Sequence, residues 1–523
     1  MQNRPDQYYS AWLPAITGLL FLGAASVGSG APASDPLLDL FIQKGFVTQQ
    51  EAEKVKAEAD AIRSRTNNEA MPNPEGSKWK LSTGIKSVEL FGDIRMRFEN
   101  RQAQDAQANQ IKLNRLRYSV RLGLRGEVFD DYYYGVRLDT GPNPRSAWVS
   151  MGTSSSGAPF QGPFGKSTAG INVGQAYVGW RLAPWMDVTV GKMANPLYTT
   201  AMVWDSDINP EGVAERFKYT VGEADFFATF GQFLYQDTNP TTTSFGFFNF
   251  GQAHNNLPFL LAWQAGMDYH LTKSLSVKVA PVLYNYTGRG ANNTVNSEIP
   301  GFNGTFIGQG GTNGPGSPGA SGFPNGFYDG FIANQTGIND LLVLEIPFEL
   351  NAKFDKFNVR LFGDYAQNLH GGQRADAAFA GVSRAFVPDN TGFIVPISSS
   401  QRQDTKAYQI GLAFANKGAL GLATGSICQK HAWEVRTYWQ HIEQYALDPN
   451  LLDSDFFEGR ANMEGLYAAL AYGLTDNMIG TIRYGFADRI NDQLGTGGSN
   501  QDIPQINPIK HYSILQFDVT FRF

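Results

Sequence analysis

Seven arginines recur with one parity in three neighbouring stretches: Arg95 and Arg97, then Arg115, Arg117, Arg121 and Arg125, then Arg137. The positions between them are apolar, with Val88, Leu90, Ile94, Met96 and Phe98 in the first stretch and Leu116, Tyr118, Val120, Leu122 and Leu124 in the second. A period of two sets the arginines on one face of a strand and the apolar residues on the other. Guanidinium groups stay charged at any physiological pH. Adjacent strands of this kind therefore present a concentrated positive field, which attracts anions and is weakly screened in a narrow water-filled space. The same face carries Glu89, Asp93, Glu99, Glu127 and Asp139, so an ion-paired lining is the competing reading. On both readings this face borders water.

A second group of ionisable residues lies between strands. The stretch 194–212, ANPLYTTAMVWDSDINPEG, holds Asp205, Asp207 and Glu211. Folded inward, it would set acids against the arginine face and create a transverse field that orders water and favours polar solutes. Left at the surface, it would be an acidic loop able to hold a divalent cation between lipid phosphates. Another acidic run, Asp448, Asp453, Asp455 and Glu458, has no ion-binding spacing and reads as solvated.

Other chemistry is poorly supported. The six histidines, at 254, 270, 370, 431, 441 and 511, form no ligand spacing with one another or with Cys428, so neither a metal site nor a cofactor is expected. A single cysteine allows no internal disulfide. No Ser/His/Asp grouping stands out: His270 falls at a tight turn, and His441 stands near a loop without an obvious partner. Net charge is −6 with pI near 5.6, and no basic block could track a phosphate backbone, which argues against nucleic acid.

The elements that must position these residues follow from the same alternation. The last thirteen residues, HYSILQFDVTFRF, place Leu515, Phe517, Val519, Phe521 and Phe523 on one face, against Tyr512, Ile514, Gln516, Asp518, Thr520 and Arg522 on the other. An exposed edge strand of that composition would invite aggregation in a soluble sandwich. Alternating segments recur from about Lys86 to the end, about sixteen in all. Their connections alternate short (129–131, 183–185, 221–223, 272–273, 354–356, 475–477) and long (287–340 and 368–405 the longest). Segregating loop length by end is what an all-β, transmembrane antiparallel β-barrel does. The connection 416–431 breaks the rule, being about four times longer than a turn at that end requires. Aromatic residues reach 13% while mean hydropathy is −0.28, as suits strands that are apolar on one side only.

Ahead of the barrel, residues 1–33 read as a signal peptide, with Arg4, an apolar core through Leu19–Leu22 and Ala31-Pro32-Ala33 as a cleavage site. Residues 34–66 read as a short periplasmic helical segment, with Thr48 and Glu51 as a capping box. Residues 67–85 are a linker, and 86–523 the barrel.

The chain resembles the putative-porin family of Gram-negative outer-membrane proteins. The resemblance rests on the leader LLDLFIQKGFVTQQEAE, on Phe91-Gly92-Asp93-Ile94-Arg95-Met96-Arg97, on Val190-Gly191-Lys192 and on Asp207-Ile208-Asn209-Pro210-Glu211-Gly212-Val213. Phe517, Val519, Phe521 and Phe523 resemble the C-terminal signal read by the barrel assembly machinery. The resemblance implies a channel in the outer membrane, in contact with lipid and lipopolysaccharide. It implies passage of small hydrophilic solutes without naming one, and a homotrimer is among the assemblies open to such a barrel. Two other functions compete. A barrel enzyme of lipase or protease type would need a nucleophile and base at the rim, and a structural sheath for a partner such as a cytochrome would need a wide lumen of mainly uncharged residues. A plugged TonB-dependent transporter is disfavoured, since residues 34–85 are too few for a plug.

Overall fold

The computed structural model describes residues 84–523 except 107, 142–145, 153–169, 236–243, 246–247, 250–258, 288–339, 381–385, 389–393, 397–398, 400, 497–502 and 504–508. The signal-like stretch, the expected helical segment, nearly all of the linker and the Gly-rich stretch 288–330 lie outside the described residues.

The alternating segments form strands: β1 (Ile85–Gln104), β2 (Gln110–Val128), β3 (Tyr132–Thr140), β4 (Ile171–Ala183), β5 (Met186–Lys192), β6 (Glu211–Val221), β7 (Ala224–Leu234) and β8 (Phe259–Thr272). Next come β9 (Leu275–Val279 with Val282–Thr287), β10 (Leu342–Glu345 with Phe348–Lys353), β11 (Phe357–Asn368) and β12 (Lys406–Asn416). The chain closes with β13 (Trp433–Ile442), β14 (Met463–Gly473), β15 (Met478–Arg489) and β16 (His511–Arg522). Each strand pairs antiparallel with the next, and β16 returns to β1, with Asp93 opposite Arg522 and Gln104 opposite His511. The result is a closed sixteen-strand barrel, as the alternation led us to expect.

Two strands are read from sequence as continuous and are in fact broken. Both breaks fall at a proline, Pro281 in β9 and Pro347 in β10, because proline has no N–H to give the ladder. The neighbours close the gap: Ala280 N donates to Pro347 O at 3.1 Å, Ala265 N to Pro281 O at 3.2 Å and Ile346 N to Tyr365 O at 2.7 Å.

The faces separate as the parity requires. Leu90, Met96, Leu116, Leu124, Phe517, Val519, Phe521 and Phe523 point outward and are exposed, whereas Arg97, Glu99, Arg101, Gln516 and Asp518 point inward and are buried. At the short-turn end the outward aromatics run from strand to strand. Ring centroids lie 4.6 Å apart for Phe354 and Phe357, 5.0 Å for Phe357 and Phe414, and 5.3 Å for Phe414 and Trp433. An aromatic row of this kind sits at a membrane–water boundary.

Connections at one end are tight, except 417–432; those at the other are 105–109, 141–170, 193–210, 235–258, 288–341, 369–405, 443–462 and 490–510. The 369–405 connection carries a helix, α1 (Gly371–Ala380).

Closure depends on a close approach at Gly92. Gly92 N donates to Phe523 O at 2.9 Å and Phe523 N to Gly92 O at 3.2 Å. A side chain at Gly92 would meet the Arg121 carbonyl and the Phe523 ring. Gly92→Val should therefore destabilise the β1–β16 seam by about 1–3 kcal/mol, as overpacking does. Heat-dependent electrophoretic mobility of the refolded barrel reads this as a lower unfolding temperature.

Candidate functional site: a charged cavity inside the barrel

Two of the long connections turn into the lumen. The 193–210 loop is drawn in by its own apolar run, with Leu197, Met202, Val203 and Trp204 all buried. Trp204 packs on Phe233 and Tyr284, with centroids at 6.2 and 6.3 Å. Polar groups of the far wall then fix its backbone. Gln264 Oε1 accepts from Tyr198 N at 2.8 Å and Gln264 Nε2 donates to Tyr198 O at 2.7 Å. Thr199 Oγ1 donates to Glu345 at 2.5 Å and Thr200 Oγ1 to Asp364 at 2.5 Å.

The 443–462 loop meets it from the opposite side. Asp205 N donates to Leu451 O at 2.7 Å, and Ser454 N and Oγ donate to Asp205 Oδ2 at 3.1 and 3.0 Å. The acidic run in this loop was expected to be solvated; instead Asp448 and Glu458 are buried and Asp455 faces the arginines. The reason lies in its apolar content. Tyr445, Leu447, Leu451, Leu452, Phe456 and Phe457 are all buried, and such a loop gains by leaving water.

Between these loops and the wall of β1 and β2 lies a cavity of about 930 Å³. Arg95, Arg97, Arg115, Arg117 and Arg121 line it, together with Asp205 and Asp207. Much of the wall is ion-paired. Arg97 donates to Asp518 at 2.7 and 2.9 Å and to Asp455 at 2.8 Å. Glu99, fully buried, accepts from Arg101 at 3.1 Å and Arg115 at 2.7 Å. Arg121 pairs with Asp207, and Arg483 with Asp518. Removing one partner of a buried pair of this kind typically costs about 3–5 kcal/mol, because the other charge is left uncompensated.

The other expected residues lie elsewhere. Arg125 is half exposed and pairs with Glu89, two bonds at 2.7 Å. Arg137 is bidentate to Asp139 on its own strand, at 2.7 and 2.8 Å. Glu211 belongs to the outer face, where it pairs with Lys192 at 2.6 Å, and Glu215, beyond Val213 on the same face, accepts from Gln232 at 2.9 Å. His441 faces outward and does have partners: Nδ1 is 2.8 Å from Glu464, and its ring stacks on Tyr408 at 4.6 Å. His270 is 3.2 Å from Asp225 at the short-turn end.

Sequence reading overlooked Trp148. The 141–170 connection runs beside β2 through Val149–Ser150, which pair with Tyr118 and Arg117. This lays Trp148 under the arginines, with Arg97 4.2 Å, Arg95 5.0 Å and Arg117 5.8 Å from its ring centroid. A ring face attracts cations and holds them without neutralising their charge. A lone Trp in a Gly/Ser/Pro loop was the available signal. Arg101, Arg360, Arg436, Arg483 and Arg522, all inward by parity, bring the lining arginines to ten.

Burial also sets the charge of the loop acids. Desolvation, and then Asp207 and Asp453 nearby, push Asp205 well above the usual carboxylate range. Burial and Asp455 push Asp453 up to about 7. Burial opposes ionisation of Asp207 too, but Arg121 and Arg95 prevail and hold it low. A raised folded pKa means that the protonated form stabilises the loop junction, and this contribution is lost as pH rises through about 7. Open-channel current noise should therefore grow between pH 6 and pH 8.5, and Asp453→Asn should abolish the change.

A family model described as "putative porin" matches residues 52–300 and 338–523. Among solved structures, OprB of Pseudomonas putida aligns with TM-score 0.43 and 11% identity over 83% of this chain and 94% of that one. The outer membrane channel DcaP of Acinetobacter baumannii gives 0.38 and 11%, over 85% and 99%. An anion-selective porin from Comamonas acidovorans gives 0.38 and 10%, over 84% and 99%. No curated protein matches the chain.

Proposed function

Because the chain belongs to the putative-porin family and is an outer-membrane β-barrel channel, we propose that it passes small hydrophilic solutes by diffusion and prefers anions. The observation that carries the preference is the cavity lining, where ten arginines stand against seven acidic residues. In two of those acids, Asp205 and Asp453, burial and neighbouring carboxylates prevail and raise the carboxyl above its usual range. Ion pairing removes part of the field, but the surplus is positive and close to any solute crossing the cavity. Distant surface charge, which makes the whole chain acidic, is screened over a Debye length of about 8 Å.

The arginines act together as a guide rather than as a trap. Arg97 and Arg115 are committed to carboxylates, which fixes the wall. Arg95 lies on Trp148 and has Asp93 at 2.8 Å, without the alignment of a hydrogen bond. It is the residue we assign the largest share in attracting a passing anion. Asp207, held ionised by Arg121, supplies the opposing pole of a transverse field. Arg125 and Arg137 contribute from outside the cavity to the approach.

In this reading Phe517, Val519, Phe521 and Phe523 serve twice, as lipid-facing wall and as the segment that the barrel assembly machinery binds. The experiment is single-channel recording in a planar bilayer with a salt gradient. The expected result is a stable open channel with an anion-selective reversal potential, shifted toward zero in Arg95→Gln with Arg121→Gln. Cation selectivity in the wild type would overturn the preference.

A further inference from the structure

One connection at the short-turn end, 417–432, is long where the others are tight, and it does not hang free. Its flanks are tied to neighbouring turns: Lys417 N donates to Lys356 O at 3.1 Å, Lys430 N to Asp476 at 2.9 Å and His431 N to Gly473 O at 2.8 Å. Between these ties the chain tucks inward. Ala419 and Leu422 are fully buried and pack with Ala415, Ala469, Ala471 and Ile479 of the inner wall. Glu434, buried on β13, accepts from Gly421 N at 2.8 Å and Ala423 N at 2.9 Å. Gly418, Gly421 and Gly425 have φ of 78°, 102° and 72°, which glycine adopts without strain and which lets the tuck close in few residues.

The tip therefore reaches the charged cavity. Leu422, Ala423, Thr424 and Gly425 line it, as do Arg95 and Asp207 on the far side. Arg483 Nη2 donates to Ala423 O at 3.5 Å, so the tip is also held by an arginine of the lumen. A carboxylate buried in a barrel wall is costly unless it is hydrogen-bonded. Here both bonds go to this turn, which makes its inward position part of the folded lumen.

We propose that residues 417–432 form a second constriction, entering from the periplasmic side, so that the cavity is a chamber for small anions. Its outer boundary is the 193–210 loop and its inner boundary the tip at Thr424. This rests on the reading of the lumen as the solute path. A solute leaving the arginine wall then passes Thr424, whose exposed side chain faces the cavity, with Arg483 and Arg522 beside it. The tip thus sets the size limit on the periplasmic side, independently of the outer loops.

The test uses Thr424→Cys in a Cys428→Ser background, so that the introduced thiol is the only one in the chain. Single-channel conductance is recorded before and after addition of 2-sulfonatoethyl methanethiosulfonate. The expected result is a stepwise fall in conductance with weaker anion preference, while the Cys428→Ser parent is unchanged. Complete modification by mass with unaltered conductance would overturn the proposal. A second variant replaces 417–432 by Asn-Gly and should conduct severalfold more while retaining its selectivity; an unchanged conductance in that folded barrel would also overturn it. If the parent proves cation-selective and the Thr424→Cys variant still steps down on modification, the anion reading falls and the second constriction stands.

Discussion

In hydrocarbon there is no water to satisfy a backbone N–H or C=O, so a sheet that crosses a membrane must close on itself. Every other feature of this barrel follows from that requirement. Closure makes β1 and β16 partners although they lie at opposite ends of the chain, and it fixes one parity as lipid-facing around the whole ring. The remaining parity has to face inward, whatever its chemistry. The arginines of β1 and β2 are thus placed in the lumen by Leu90, Met96, Leu116 and Leu124 as much as by their own preference for water.

Once so many cations share one wall, the wall needs partners. Glu99 sits among Arg101, Arg115 and Arg117, and Asp518 joins Arg97 to Arg483 across the β1–β16 seam. Asp455 and Asp207 come from loops rather than strands. Recruiting loop acids into the lumen couples the electrostatics of the wall to the folding of the outer connections. Those connections bring apolar side chains with them, and the packing of Trp204, Phe233 and Tyr284 holds the acids in place. Charge and core are separate layers in many soluble domains; here the loop segments supply both.

Much of this was legible in the sequence, for a physical reason: a period of two is a strong constraint, and each strand repeats it. The strand number, the faces and the segregation of loop lengths were all read from it. The candidate residues fared unevenly. Arg95, Arg97, Arg115, Arg117 and Arg121 meet at one cavity because parity and adjacency specify them, whereas Arg125 and Arg137 share the parity but lie outside it. Glu211 was grouped with Asp205 and Asp207 by proximity in the chain, yet it begins a strand and takes that strand's outward face. The acidic run at 448–458 was misread because its charges were weighed without its phenylalanines and leucines. Trp148, and the inward tuck of 417–432, depend on contacts with other strands tens of residues away, and no local period encodes them.

The strands that form this wall are unequal. β1 and β2 have 20 and 19 residues, whereas β5 has 7. At about 3.3 Å per residue and a tilt near 45°, β5 rises only about 16 Å, well short of an apolar band of about 25 Å. The outward pair Lys192–Glu211 stands at its top, where a bilayer of full thickness would immerse it in acyl chains. Hydrophobic mismatch on one side of a barrel is relieved by local thinning of the bilayer. A bilayer around this barrel is therefore expected to thin along β5 and β6, with its outer-leaflet headgroups drawn down toward Lys192 and Glu211.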